Sequence, residues 1–474
     1  AGFFAGLFGG SNSPNSTRSG PPLTGGGGAS GGAGVAVPSC SFARLQQLYE
    51  RLSQFRESDL ERGMGDAVVE TVRQITEALI WGEQNDTNFF DFFCEKNILA
   101  DFVAVLGLHK APKTVKVQLL QTLSMLVQNI RRQTSLYYLL SGNYVNRLIS
   151  TPLNFNDEEI LAYYITLLKS LAMRLDADTI RFFFIQHPEP IFPLYTEATK
   201  FFSHRDQMVR ANVRTITLQV YRIADPTMQR FVLCHAAESY FTQLACHLRD
   251  LWLRLDAAAA PGEENLAALH RENELQQDLL IYVSDVLDLA VVELNAVLAD
   301  RLLSYAIYPS LILGVSTPAE TPGRATAAGT TALGQQPRQL ALPVALFIMQ
   351  QVMDSLRCRV LLEPLATILL SPKVSTAQAA KLPQLPGIAN NALPRSLPPR
   401  TGETIPNPVC RIFLSHLQGR DDTVFVMAAA VVHSCVRNRR ALPAAFLEDI
   451  GVIPVRGATS RRSASSEGPQ VLML

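Results

Sequence analysis

Two cysteine-histidine doublets are the residues in this sequence whose chemistry is easiest to name. Cys234-His235 and Cys246-His247 supply thiol and imidazole groups, which are common zinc ligands. On one continuous α-helix, a separation of twelve residues gives a rise of roughly 18 Å and a turn of about 120°. Side chains placed in this way cannot share one tetrahedral ion. We therefore expect core or partly buried cysteine and histidine here, and no metal.

Catalytic motifs are the next question. Residues 28–32 (GASGG) have the spacing of a nucleophile elbow, but that motif needs a strand before it and a helix after it, and here it lies in Gly- and Ser-rich sequence. The sequence contains no P-loop, no HExxH motif and no EF-hand loop. It also contains no CxxC pair, so the chain is not itself a RING-type ubiquitin ligase. We expect a protein that is not an enzyme and carries no cofactor.

Three arginines near one another are the charges of greatest interest. Arg210 and Arg214 lie four residues apart beside an apolar stripe, and Arg205 precedes them. They form a candidate edge for binding a protein partner. The alternative is structural, because arginines of repeat helices often bond to the neighbouring helix or its cap. In the C-terminal tail, Ser463 follows two arginines and is a possible phosphorylation site.

The helix predicted to carry this edge is strongly amphipathic. Val209, Val213, Ile216, Val220 and Ile223 recur at steps of three and four residues, which aligns them on one helical face. The aromatic side chains that precede this helix are expected to be core, with an exposed docking patch as the alternative. The prolines among them predict a packed turn between helices.

Helix starts recur along the chain at a regular distance. We take Thr114, Asn156 and Ser203 as N-caps, and they lie 42 and 47 residues apart. That spacing is typical of HEAT and armadillo arrays, in which stacking buries the apolar stripe of each unit. The predicted fold is all-α, a HEAT/armadillo-like helical-repeat solenoid with a disordered N-terminus and Pro-rich linkers.

Composition divides the chain into seven segments. They are a disordered Gly/Ser/Pro-rich tail (1–38), a helical-repeat domain (39–315), a linker (316–340), a helical hairpin that continues the array (341–371), a Pro-rich linker (372–408), C-terminal helices (409–450) and a disordered tail (451–474). The most apolar runs, 303–315 and 424–432, are shorter than the roughly 20 residues that a bilayer span needs.

Several blocks of this sequence resemble one protein family. Phe192-Pro193-Leu194-Tyr195, followed by Glu-Ala at 197–198 and Phe-Phe at 201–202, resembles the signature of the FPL-domain family, also called the Ema (endosomal maturation defective) family. Residues 71–97, which include Trp81, and residues 119–150 and 155–171 resemble the same family in the same order, and 342–371 does so more loosely. The resemblance covers most of the chain between residues 42 and 371.

This resemblance implies a function that the residues alone do not name. It implies a non-enzymatic scaffold or regulator of membrane trafficking, cytoplasmic and peripheral on Golgi, endosomal, lysosomal or vacuolar membranes, with roles in endosome maturation, lysosomal or vacuolar transport and autophagy. Its partners would be proteins, such as a tethering complex or a small GTPase. An adaptor of a ubiquitin ligase in mitophagy is the alternative. The 42 basic and 42 acidic residues cancel, so we expect no nucleic-acid partner.

Overall fold

A computed structural model describes residues 41–55, 65–259, 266–316, 339–382 and 404–454. The predicted N-terminal tail, most of both linkers and residues 455–474, with the possible phosphorylation site Ser463, lie outside these ranges. The fold of the described residues is all-α, as the periodicity predicts.

Short and medium-length helices make up nearly all of the described chain. The first eleven are α1 (Phe42–Gln54), α2 (Gly65–Asn85), α3 (Thr87–Glu95), α4 (Ile98–Gly107), α5 (Lys113–Asn129), α6 (Gln133–Leu140), α7 (Tyr144–Ile149), α8 (Glu158–Ala172), α9 (Ile180–Phe183), α10 (Pro193–Thr199) and α11 (Gln207–Arg222). The next five are α12 (Pro226–Phe231), which leads through a π-helical segment (Val232–Ala237) into α13 (Glu238–Ala258), then α14 (Leu266–Asp288) and α15 (Val292–Leu302), which leads through a second π-helical segment (Leu303–Ile312) into α16 (Leu313–Val315). The remaining elements are α17 (Leu342–Ser355), α18 (Arg359–Leu370), β1 (Lys373–Ser375), α19 (Thr376–Lys381), β2 (Thr404–Pro406), α20 (Pro408–His416), α21 (Asp422–Arg437) and α22 (Ala444–Asp449).

One row of helices forms the spine of the fold. In the order α1, α2, α5, α8, α11, α14, α17 and α21, each packs on the next, while the other helices pack against this row and against each other. A single apolar core runs through the whole stack. Polar rungs between neighbours repeat along the row: Thr76 to Thr122 at 3.1 Å, Gln128 to Ser170 at 2.6 Å and Lys169 to Asn212 at 3.0 Å. This is the stacking of a helical-repeat solenoid.

The three predicted N-caps are each wrong by one to three residues. α5 begins after Pro112, α8 after Asp157 and α11 after Asp206. The Asp157 carboxylate accepts from the backbone N–H groups of residues 159 and 160, and the Asp206 carboxylate accepts from that of residue 209 at 3.0 Å. A carboxylate close to Asn156 or Ser203 is the better cap because its charge also complements the positive helix end.

Glycine often ends a helix, but Gly82 does not end α2. α2 continues through it to Asn85. A Cβ at Gly82 would overlap with the Cβ and ring of Phe89 on α3. The glycine therefore allows α2 and α3 to approach closely, and it is not a C-cap.

The Pro-rich linker predicted at 372–408 is ordered at both ends. β1 and β2 pair antiparallel, with Val374 opposite Ile405, and α19 follows β1 directly. The Asn407 side-chain amide donates to the carbonyl oxygens of Ile368 at 2.7 Å and Ser371 at 2.8 Å, which ties the returning chain to the end of α18. So short a ladder shows no alternation in the sequence, and the predicted all-α fold does not include it.

The apolar run at 303–315 belongs to a longer helical stretch than we expected. Val292–Val315 is continuous over 24 residues and contains an 18-residue window with a mean hydropathy of 1.3, so it has the length and composition of a membrane span. However, 61% of this window is buried within the protein, against α13 and α17. Pro309, a residue type that usually breaks a helix, lies inside the second π-helical segment. The stretch packs as a core helix.

Candidate functional site

The signature residues form a short helix at the centre of the stack. Pro193 occupies the first turn of α10, where its missing N–H has no helical partner to lose. Phe192, Leu194 and Tyr195 are all buried. Trp81 differs, because 41% of it is exposed, with its ring centroid 5.4 Å from that of Phe89. Most of the signature therefore belongs to the core.

Four buried tyrosines surround the signature helix. Tyr195 on α10 and Tyr221 on α11 join their hydroxyls at 2.7 Å, and Tyr240 on α13 and Tyr282 on α14 do so at 3.0 Å. Thr217 and Tyr282 share a further hydrogen bond at 2.8 Å. Burial raises the pKa of all four phenols, so they remain neutral and can donate to each other. The cluster ties four helices together through satisfied polar contacts.

Sequence reasoning did not find this cluster. Apart from Tyr195, its tyrosines lie outside the signature, at core positions of amphipathic helices. At such positions the residue type alone cannot be told from an ordinary aromatic core residue. Only the tertiary structure pairs their hydroxyls.

Arg214 is held between α11 and α14. One of its guanidinium nitrogens lies 2.6 Å from a carboxylate oxygen of Asp278, and the group also lies over the ring of Tyr282, 5.5 Å from its centroid. Only 13% of the side chain is exposed. Arg214 thus covers the tyrosine cluster and links two neighbouring repeats.

Arg210 and Arg205 are bound differently. Arg210 donates to the backbone carbonyl oxygens of His204 and Arg205, both at 2.8 Å, which fixes the loop before α11. Burial lowers the pKa of Arg210. Arg205 pairs with Glu158 at the start of α8, yet 77% of its side chain is exposed. These are the contacts that the structural alternative requires. Of the three arginines, Arg205 offers the most surface to a partner, and partner binding by the edge stays a prediction.

The cysteine-histidine doublets lie on one helical rod that is not uniformly α-helical. Cys234 and His235 are exposed in the first π-helical segment, while Cys246 and His247 are partly buried on α13. The two imidazoles contact different rings: His235 lies 5.5 Å from Phe231, and His247 lies 5.8 Å from Phe202. Within the described ranges, no group of three His, Cys, Asp or Glu side chains could hold a metal ion.

The aromatic stretch before α11 is mostly core. Phe183 and Phe184 are buried, while Phe182, Phe201 and Phe202 are partly buried against the same core. Ile191 is a large apolar side chain of this stretch that is exposed. It lies at the end of a small turn that is closed by an antiparallel backbone bridge to Ile185.

Comparison with known proteins gives one family. Residues 72–221 match the FPL family, described as an uncharacterised conserved protein. CLEC16A of Mus musculus is 38% identical over 344 residues, which is 71% of this chain and 31% of that protein. The CLEC16A homolog of Drosophila melanogaster is 42% identical over 286 residues (60% and 26%), and TRANSPARENT TESTA 9 of Arabidopsis thaliana is 32% identical over 279 residues (57% and 33%).

These matches cover only part of each relative. The chain spans about a third or less of the length of the curated relatives it matches. An engineered protein of known structure aligns over 83% of this chain at 10% identity and a TM-score of 0.34, a likeness too slight to characterise the fold. The family match contains α10, which carries the signature residues, and α11 up to residue 221. Through the FPL domain at residues 72–221, the chain belongs to the FPL-domain family.

Proposed function

We propose that this protein is a non-enzymatic scaffold or regulator of membrane trafficking. It would act at Golgi, endosomal or vacuolar membranes, in endosome maturation, lysosomal or vacuolar transport and autophagy. The observation that carries the proposal is the FPL domain, together with the relatives whose likeness to the chain extends over more residues than that domain contains. The helical stack supports it, because solenoids present long surfaces suited to protein binding.

The buried thiols support a non-enzymatic role. Desolvation raises the pKa of Cys94 and Cys435 to about 12 and that of Cys410 to about 11. A catalytic cysteine needs the opposite shift, since the thiolate is the nucleophile. Burial also raises the pKa of the four clustered tyrosines, whose hydroxyls bond within the cluster. These groups are placed for packing.

Recruitment to a membrane would then depend on protein contacts. The balanced charge of 42 basic against 42 acidic residues supplies no general attraction to anionic lipids. A tethering complex or a small GTPase is the partner class we propose.

Localisation with organelle markers tests the proposal most directly. We expect the fluorescently tagged protein to be cytoplasmic and to concentrate on Golgi, endosomal or vacuolar membranes. Deletion of the gene should delay the delivery of endocytosed cargo to the lysosome or vacuole. A diffuse protein whose loss leaves cargo delivery unchanged would contradict the proposal.

Co-purification separates the two kinds of partner. Recovery of a tether or a GTPase from gently lysed cells supports the trafficking scaffold. Recovery of a RING ligase, with changed ubiquitination of mitochondrial proteins on deletion, would instead support the alternative, an adaptor of a ubiquitin ligase in mitophagy.

A further inference from the structure

An open cleft of about 250 Å³ lies between the signature helix and α13. One wall is the face of α10 with Thr196, Thr199 and the following Lys200. The other wall carries His235, from the first π-helical segment, and Ser239 and Gln243, one turn apart along α13. π-Helical segments often occur at functional sites because they displace the side chains around them. Here the segment places an imidazole at the mouth of the cleft.

The floor of the cleft is rigid and uncharged. It is formed by Tyr195 and Tyr240, whose rings meet edge to face at 6.3 Å and whose hydroxyls are used inside the tyrosine cluster. The ring of Phe202 packs edge to face on that of Tyr240, with the ring centroids 5.6 Å apart. The cleft is therefore preformed, and a ligand would not have to order it.

Charge is unevenly distributed around this cleft. Lys200 is the one charged side chain that lines it, with 60% of that side chain exposed. Glu197 contacts the Lys200 ammonium at 2.6 Å but does not line the cleft. Glu238, next to Ser239, is directed to Arg301 at 2.6 Å. An ammonium has three N–H donors, so Lys200 can serve Glu197 and a second anion together.

The hydrogen-bonding groups add a second constraint. Thr199 and Thr196 donate their hydroxyl protons to the carbonyl oxygens of Tyr195 at 3.0 Å and Phe192 at 3.2 Å, so their oxygens face a ligand as acceptors. Lys200, Ser239 and Gln243 provide donors. A ligand that matches these groups brings an anion for the Lys200 ammonium and N–H groups for the threonine acceptors.

We propose that this cleft binds an extended acidic segment of a protein partner, with an Asp or Glu carboxylate at Lys200 and backbone N–H groups at the threonine hydroxyls. α10 is seven residues long, or about 10 Å, which matches roughly three residues of extended peptide. A phosphoinositide is disfavoured, since lipid headgroups are recognised by about four to eight basic residues and this cleft has one. The inference rests on the proposed role as a protein-binding scaffold and deepens it.

Peptide pools with one fixed position test the proposal with the purified full chain. Fluorescein-labelled hexapeptide pools carry Glu, Gln, Lys or phosphoserine at the centre and randomised flanks, and binding is followed by anisotropy. We expect the Glu pool to bind at least tenfold more tightly than the Gln and Lys pools. Lys200→Glu should reduce that binding at least tenfold, and so should Gln243→Trp, which fills the cleft without changing its charge.

Matched controls keep the result interpretable. Lys373→Glu makes the same charge change at an exposed position of β1 and should leave binding unchanged. Because Lys200 and Gln243 are exposed, both variants should keep the wild-type circular dichroism.

Four results would overturn the inference. The first is equal binding of the Glu and Gln pools, and the second is Glu binding that persists in both cleft variants. The third is a phosphoserine pool that binds more than tenfold better than the Glu pool. The fourth is Lys200-dependent binding to phosphatidylcholine vesicles containing 5 mol% phosphatidylinositol bisphosphate, a composition chosen for the assay. The assay uses no cells. Failure on organelles with intact peptide binding would therefore contradict the trafficking role and leave the cleft assignment standing.

Discussion

The hydroxyl pair of Tyr195 and Tyr221 gives a sharp test of how the centre of the stack is held. Each of these phenols has the other as its hydrogen-bond partner, at 2.7 Å, and both are buried. Tyr221→Phe removes one hydroxyl and leaves the Tyr195 hydroxyl buried without a partner. An unsatisfied buried hydroxyl costs about 1–3 kcal/mol, so we expect the variant to be less stable by about that amount.

The double variant Tyr195→Phe/Tyr221→Phe should behave differently from the sum of its parts. It replaces both partners by apolar groups of nearly the same shape, a change that is close to neutral. The coupling free energy between the two sites should therefore be about 1–2 kcal/mol in favour of the double variant.

Urea unfolding followed by circular dichroism measures these differences. A loss of about 1.5 kcal/mol would lower the midpoint by roughly 0.5–1.5 M for a slope of about 1–3 kcal/mol per molar urea. Tyr305→Phe, which removes an exposed phenol from the second π-helical segment, is the control and should leave the midpoint unchanged. Single variants that cost under about 0.3 kcal/mol each and add in the double variant would refute the pairing.

Three further predictions concern other parts of the stack. Arg214→Glu should lower the unfolding midpoint clearly, because it places a carboxylate beside the acidic partner of Arg214 on α14. Arg205→Glu, at an exposed position, should change the midpoint little. Equal effects in the two urea titrations would show that the burial of Arg214 does not make it more important for stability than Arg205. Gly82→Ala should destabilise the protein by about 1–3 kcal/mol through overlap with Phe89, whereas a glycine in an open helix would give a gain on the same substitution, so the sign of the change in melting temperature decides. Hydrogen bonds from Arg73 lower the pKa of Glu70 from 4.5 to about 2. Because the folded-state pKa is the lower one, the stability that the Glu70 carboxylate contributes is present above pH 4.5 and is lost as the pH falls toward 2. The stabilities of wild type and Glu70→Gln, measured in acid titrations, should therefore converge at the acid end.

Periodicity predicted the fold class because stacking depends on it directly. The stripe from Val209 to Val220 is buried against α8 and α14 at the positions that a 3.6-residue period requires. Helix starts were less accurate, since several polar residues near Asp157 and Asp206 could each cap a helix, and the choice among them depends on local backbone angles.

The π-helical segments and the small sheet could not be predicted for a different reason. The sequence from Leu303 to Ile312 is compatible with an α-helix except at Pro309, and the wider turns that accommodate it are stabilised by packing on α13. β1 and β2 are brought together across residues whose sequence carries no pairing signal, and Asn407 fixes the return. Long-range contacts of this kind leave no local pattern.

The candidate site, too, has features that the sequence could predict and features that it could not. The resemblance located the signature residues of α10, and charge spacing predicted that Arg205, Arg210 and Arg214 share one edge. Neither could show that Arg214 is closed in by Asp278 and Tyr282, or that His235 faces the signature helix across a cleft. Those relations depend on helices that lie far apart in the sequence.

The tyrosine cluster also bears on how this family should be dissected. Two of its members, Tyr195 and Tyr221, lie within the family match at residues 72–221, whereas Tyr240 and Tyr282 lie beyond it. A fragment cut at residue 221 would lose α13 and α14, expose the flank of α11 that packs on them, and separate Arg214 from Asp278. The family match ends at residue 221, but the apolar core continues beyond it. Fragments intended to keep the family domain folded should therefore extend at least through α14.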